Sequence, residues 1–313
     1  MTVGFQHTPS ASSASPTKRA LIAAFSLYAS VGFASVSQVT ITTDSQHRYI
    51  KANGLPDHEH GQFPNRGNPH RVIAQSYQFR VPRHPKLTGQ IQQTGRYTFG
   101  VAINGVPFDP GSAEYWKNDR STGWRKEALN VPGKLGMDHH NAHVQPTGAY
   151  HYHGLPHGLL HGSSSSQHSP LIGYAADGFP IYARYGYRDS DNTGSGIREL
   201  SSSYVLKTGN RKNHEPTGRY DGTYNRDYDY REGCGDLDEC NGRSDVTPEY
   251  PDGTYYYVIT TDYPYVPRCF RGTPDDSFRK QSMGRAHPGN RPQGHPLHDG
   301  PPHHHPPRRE PRF

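Results

Sequence analysis

Apolar and polar positions alternate over short distances along this chain. The clearest case lies within residues 71–81, where Tyr77, Phe79 and Val81 alternate with Gln78 and Arg80. A period of two marks a half-buried strand. Further strands are predicted at 97–103, 171–175, 179–183 and 255–261. The last is the richest in aromatic and β-branched residues. Asn104-Gly105 and Asp177-Gly178 read as turns between strands. One stretch competes with this pattern. Glu114 to Leu129 carries Trp116 and Trp124 and could form a helix broken at Gly123. Short strands separated by turn clusters predict an all-β fold, sandwich or barrel-like, with long loops. The alternative is α+β with a short helix near Trp116.

Composition adds a constraint on the core. Only 31% of the 313 residues are hydrophobic, so a core must lean on the 22 tyrosines. Each buries a large ring and keeps one polar handle that needs a partner. The 34 glycines and 28 prolines argue for many turns and few long helices. The organisation expected is a leader at 1–34, a polar segment at 35–94 with a strand near 71–81, a folded domain at 95–278, and a disordered Pro/His/Arg-rich tail at 279–313. Ser163 to Gln167 reads as a flexible loop inside the domain.

Lys18 and Arg19 precede an uncharged, mostly apolar run from Ala20 to Ala34 that ends in small residues. That is the layout of a secretory signal peptide, with cleavage expected after Ala34. The run is shorter than the roughly 20 apolar residues of a spanning helix and contains Ser26 and Ser30. A secreted or extracellular protein with no stable membrane span is therefore expected. The formal charge of +6 does not point to nucleic acid. The leader carries +2 and the tail +5, which leaves the centre at −1. No Arg/Lys stripe with interleaved aromatics crosses that centre, as a nucleic-acid groove would need.

The densest chemistry runs from Asp138 to Gly154, with His139, His140, His143, His151 and His153. If Tyr150-His-Tyr-His153 is a strand, His151 and His153 share one face while Tyr150 and Tyr152 share the other. The two histidines then stand roughly 6.5–7 Å apart at their bases. From there, imidazoles can converge on one ion at about 2.0–2.1 Å for zinc. His143, across a Pro-Thr-Gly turn, could supply a third nitrogen, and Asp177 a carboxylate. Such a set suits Zn, Cu or Fe. Metal occupancy should then fall as pH drops below roughly 6.5, where free imidazole takes up protons. The competing reading is a polar His ladder in a structural or adhesive module. His157, His161 and His168 lie in a Gly/Ser loop and read as solvated.

A second candidate is oxygen-rich. Asp227, Asp229, Asp236 and Asp238, with Asp221 and Glu239 nearby, could serve calcium, which takes six to eight oxygens. The segment departs from the EF-hand loop, because Arg231 occupies a ligand position. Aspartates beside glycine also make ordinary turns. No Gly-x-Ser-x-Gly elbow, phosphate-binding loop or dinucleotide fingerprint occurs. The three cysteines, Cys234, Cys240 and Cys269, are too few for a Cys-only zinc site and allow a single disulfide. Cys234–Cys240 and Cys240–Cys269 are both open on the residues alone.

Tyr150-His-Tyr-His153 is the tetrapeptide that names the YHYH domain family, which this chain resembles. Further stretches similar to that family are Asn104-Gly-Val106, His143-Val-Gln-Pro146, Gly173-Tyr-Ala-Ala-Asp-Gly-Phe-Pro-Ile-Tyr182, Gly235-Asp-Leu-Asp-Glu-Cys-Asn-Gly242, Thr247-Pro-Glu-Tyr-Pro251 and Tyr263-Pro-Tyr-Val-Pro-Arg268. They follow in family order across about residues 95–280. The resemblance implies an extracytoplasmic protein and brings no activity with it. It places Cys240 inside one matched motif and Cys269 directly after the end of another, which implies a Cys240–Cys269 bridge with Cys234 free.

Overall fold

Alternation becomes a strand where one of its faces can be buried. In Tyr77–Pro82, Phe79 and Val81 are buried while Gln78 and Arg80 face solvent. Residues 71–76 do not join it. Their backbone is spent on other segments, with Ile73 N–H donating to Gly148 and Gln75 N–H to Asn53. The computed structural model describes residues 36–280. The leader expected at 1–34, and the tail beyond residue 280, lie outside the described residues.

The strands in chain order are β1 (Val39–Thr43), β2 (His47–Ala52), β3 (Tyr77–Pro82), β4 (Gln92–Gln93), β5 (Gly100–Ala102), β6 (Pro107–Phe108), β7 (Ala142–Val144), β8 (Tyr150–Tyr152) and β9 (Leu171–Ala175). They continue with β10 (Pro180–Tyr182), β11 (Tyr185–Asp189), β12 (Asn192–Glu199), β13 (Tyr204–Leu206), β14 (Tyr228–Tyr230), β15 (Gly242–Thr247), β16 (Tyr250–Val258) and β17 (Cys269–Phe270). The main sheet has eight strands in the order β15-β16-β10-β9-β5-β6-β8-β7. Two of its pairings, β10 with β16 and β6 with β8, are parallel. A three-stranded sheet β1-β2-β3 and three two-stranded ribbons complete the fold. Among the described residues the all-β expectation holds, with several sheets and no closed barrel.

The predicted turns join neighbours in the main sheet. Asn104-Gly105 links β5 to β6, with Gly105 at φ 81°. Asp177-Gly178 links β9 to β10, with Gly178 at φ 98°. The core is aromatic, as the composition requires. Tyr150, Tyr152, Tyr182, Tyr256 and Tyr257 are among the largest fully buried side chains. Phe99 stacks on Phe270 with ring centroids 5.5 Å apart.

The helix near Trp116 does not form. Trp116–Asn118 and Arg120–Thr122 are single 3-10 turns. Lys117, Asn118 and Gly123 all have positive φ, which interrupts any α-helical run. The chain folds back instead: Trp116 N–H donates to Trp124 O, and Tyr115 pairs with Arg125. Among the described residues, no helix is long and apolar enough to cross a membrane.

Cys240 and Cys269 form a disulfide, and Cys234 is free and exposed. The bridge ties β17 to the turn that enters β15. The tail expected to begin at 279 is docked for its first two residues. Arg279 pairs with Asp276, and Lys280 pairs with Asp109.

Candidate metal centre

The sequence between His143 and His151 makes a tight reversal at the edge of the main sheet. Gln145 N–H donates to Ala149 O at 2.9 Å, and Gly148 N–H to Gln145 O at 2.8 Å. Gly148 sits at φ 84°, and a Cβ there would meet Ile73 at 2.5 Å. Glycine is required on both counts. The resulting β7–β8 register pairs His143 with His151 directly, flanked by Ala142 with Tyr152 and Val144 with Tyr150. His153 follows two residues later on the same face, held by its N–H donating to Asn141 O at 2.7 Å.

The three imidazoles meet through their Nε2 atoms. His153 Nε2 lies 2.9 Å from His151 Nε2 and 3.2 Å from His143 Nε2. The outer nitrogens fix two of the tautomers. His143 Nδ1 lies 3.0 Å from Leu135 O, and His151 Nδ1 lies 3.2 Å from Ala149 O. A carbonyl only accepts, so both Nδ1 atoms carry the proton and both Nε2 atoms present lone pairs to the centre. His153 Nδ1 is buried with no partner among the described residues. Burial holds the His143 imidazole below its ordinary proton affinity. Burial, then His143, pushes His151 down to about 3. Burial, then His151 and His143, holds His153 well below the usual range. The centre is therefore a set of neutral donors, the form in which imidazole binds a metal.

The other face of the same strand carries hydroxyls. Tyr150 OH donates to Asp138 Oδ2 at 2.6 Å. Tyr152 OH lies 2.7 Å from His58 Nε2 and accepts from Asn104 Nδ2 at 3.0 Å. His139, His140 and His58 crowd this face, with ring centroids 3.7 and 3.9 Å apart in succession. Their nitrogens do not converge. His140 Nε2 meets Glu59 O and its Nδ1 accepts from Gly158 N–H, while His58 Nδ1 meets Glu59 O. Two histidine clusters thus lie on opposite faces of one strand, and one of them directs its lone pairs at a common point.

Sequence reasoning missed the charges beside the triad. Asp109 is buried and raises the proton affinity of His143 and His151, while Lys280 lowers that of His151 and His153. Arg268, ion-paired to buried Glu127, also acts on His153. No local signal marks these residues, because long-range parallel pairing and the return of the chain after β17 bring them in.

Asp177 is not brought to the imidazoles. Its buried carboxylate accepts from Tyr257 OH at 2.6 Å and Gly272 N–H at 2.9 Å, and closes the turn before β10. The four calcium candidates are not gathered either, because protein cations and donors occupy them. Asp227 takes two bonds from Arg211, Asp229 pairs with Lys207, and Asp236 pairs with Arg198. Asp238 accepts from Cys240 N–H and Tyr255 OH. Among the described residues, the one set of three or more His, Cys, Asp or Glu side chains able to hold an ion is His143, His151 and His153. His168, expected in solvent, is instead packed against Tyr182 and Tyr187.

A family model described as YHYH protein matches residues 78–272, well over half of the chain. The match begins upstream of residue 95, where the resemblance in the sequence starts, and takes in most of β3. No curated protein and no solved structure matches the chain.

Proposed function

The chain belongs to the YHYH protein family, and from that premise we propose that it is an exported protein binding one divalent transition-metal ion through Nε2 of His143, His151 and His153. One observation carries the reading: three Nε2 atoms, those of buried His151 and His153 and of half-buried His143, face one another, two of them with no proton to offer. A proton on His153 Nε2 can only be divided between the other two lone pairs as a three-centre bond, whereas a metal ion takes a lone pair from all three. Neutral imidazoles suit zinc, copper or iron. Three protein ligands leave a coordination position open, the arrangement of catalytic rather than structural sites. A water bound there would become acidic enough to attack an ester or amide, and copper would add electron transfer. Export is supported by the Lys18-Arg19 leader and by the Cys240–Cys269 disulfide, a bond of oxidising compartments.

Elemental analysis of the purified protein tests the proposal, with His151→Ala as control. About one Zn, Cu or Fe per chain, lost in the variant, is the expected result. A metal-free protein that still folds would leave a structural or adhesive module as the better reading.

A further inference from the structure

The triad has a carboxylate neighbour whose position follows from the sheet. β6, β8 and β7 lie side by side in that order. Phe108 pairs with Tyr152, and the two rings pack on one face, 5.4 Å between centroids. Asp109 comes next, so its side chain falls on the opposite face, the face of the imidazoles. Gln145 is two residues past His143 and shares that face. Gln145 Nε2 reaches Asp109 Oδ2 at 3.5 Å. Asp109 and Gln145 directly follow β6 and β7, the two strands that flank β8, and the one β8 side chain on this face is His151. The contact between Asp109 and Gln145 therefore passes beside the triad.

The Asp109 carboxylate is buried, and its main partner is a cation. Lys280 Nζ lies 2.8 Å from Oδ1 and 2.7 Å from Oδ2, and Gly111 N–H donates to Oδ1 at 3.2 Å. The Lys280 side chain is 39% exposed. A divalent ion on three neutral imidazoles carries its full charge into this region, where the buried Asp109 carboxylate already serves an ammonium.

We propose that Asp109 is the counter-charge of the metal ion held by His143, His151 and His153, and that Lys280 competes with the ion for it. The inference rests on the metal reading and adds a control to it. Lys280 sets how tightly the site holds its ion, and a change that draws the ammonium away strengthens the hold. A purely structural ion pair would behave differently, because breaking it from either side would loosen the same fold.

The test is a zinc titration of wild type, Asp109→Asn and Lys280→Met at neutral pH and low salt, with the fold of each metal-free variant checked by circular dichroism. Asp109→Asn is expected to weaken zinc binding by roughly tenfold and Lys280→Met to tighten it several-fold, since charges interact more strongly in a partly buried site than in bulk water. Both variants unchanged, or both weaker, would overturn the proposal while leaving the triad as the metal site. If Asp109→Asn does not fold, Lys280→Met decides alone: tighter binding supports the proposal, and equal or weaker binding overturns it. A wild type that takes up no zinc, copper or iron overturns the metal reading itself and this inference with it.

Discussion

His143 and His151 stand opposite each other in register across the edge hairpin, with ring centroids 4.7 Å apart. In an antiparallel pair, directly opposed side chains lie on one face of the sheet. The register therefore aims both imidazoles at one point and sends Tyr150 and Tyr152 to the other face. His143→Ala should cost at least a hundredfold in metal affinity, the upper end of what loss of a group supporting a metal site costs. Tyr152→Phe should leave the metal content unchanged. It should instead lower unfolding stability by roughly 1–3 kcal/mol, because His58 and Asn104 lose a buried partner. Metal-to-protein ratios and urea unfolding of the two variants separate the faces. Loss of metal in both would contradict the assignment.

The same burial that keeps the triad neutral should be visible in the metal-free protein. Below about pH 6.5 the unfolded chain takes up protons at these histidines. The folded protein resists, down to about 3 for His151. Stability should therefore fall as pH drops through that window, by about 1.4 kcal/mol per pH unit for each excluded proton. Urea midpoints at pH 7, 5.5 and 4, compared with His151→Gln, measure it. A slope unaltered by the substitution would show that His151 is free to protonate.

Asp177 should act with the opposite sign. Burial raises its carboxyl from 3.8 to about 6, against the hydrogen bonds from Tyr257 and Gly272. Between those values the folded state holds a proton that the unfolded chain has released, so this group's contribution is lost as pH rises. Asp177→Asn should gain on wild type between about pH 4 and pH 6, by no more than roughly 3 kcal/mol for a shift of this size. Thermal melts across that range would expose it; a constant difference would mean that the carboxyl titrates normally.

The histidine face was legible in the sequence because the period of a strand is local. Tyr150 to His153 needs only its own alternation, and the Pro-Thr-Gly reversal announces the hairpin that adds His143. The rest depends on contacts far apart in the chain. Asp109 meets Lys280 across 171 residues. Asp177 read as a spare carboxylate because Tyr257, its hydroxyl partner, lies 80 residues on. The segment at Trp116 had helical length, but the fold-back that lets Trp116 N–H donate to Trp124 O outweighed its weak propensity. The acidic run looked like an ion site because sequence cannot show that Arg211 already holds Asp227.

The disulfide offers a prediction independent of any metal. Cys240 and Cys269 close a loop across a separation of 29 residues. Removing such a link frees the unfolded chain by roughly 3–4 kcal/mol on the loop-entropy scale. Cys269→Ser should lower the unfolding midpoint accordingly, while Cys234→Ser, at an exposed free thiol, should not. Equal effects from both would point to a different bridge in solution.

Metal and protons should compete at lower pH than the sequence alone implies. An ordinary histidine pair would release its ion as pH drops below about 6.5, where free imidazole protonates. Here burial depresses all three imidazoles, His151 to about 3. Protonation must therefore begin at a more acidic pH, and a bound ion pushes it lower still by occupying Nε2. Occupancy should stay high at pH 6, with a release midpoint clearly below that of a solvent-exposed His-x-His peptide. More than one proton should enter per ion released, since several nitrogens are freed together. Equilibrium dialysis against zinc from pH 7 to pH 4, with the peptide in parallel, provides the comparison. A shared midpoint would mean that the imidazoles are open to water, and the buried geometry would lose its claim as the binding form.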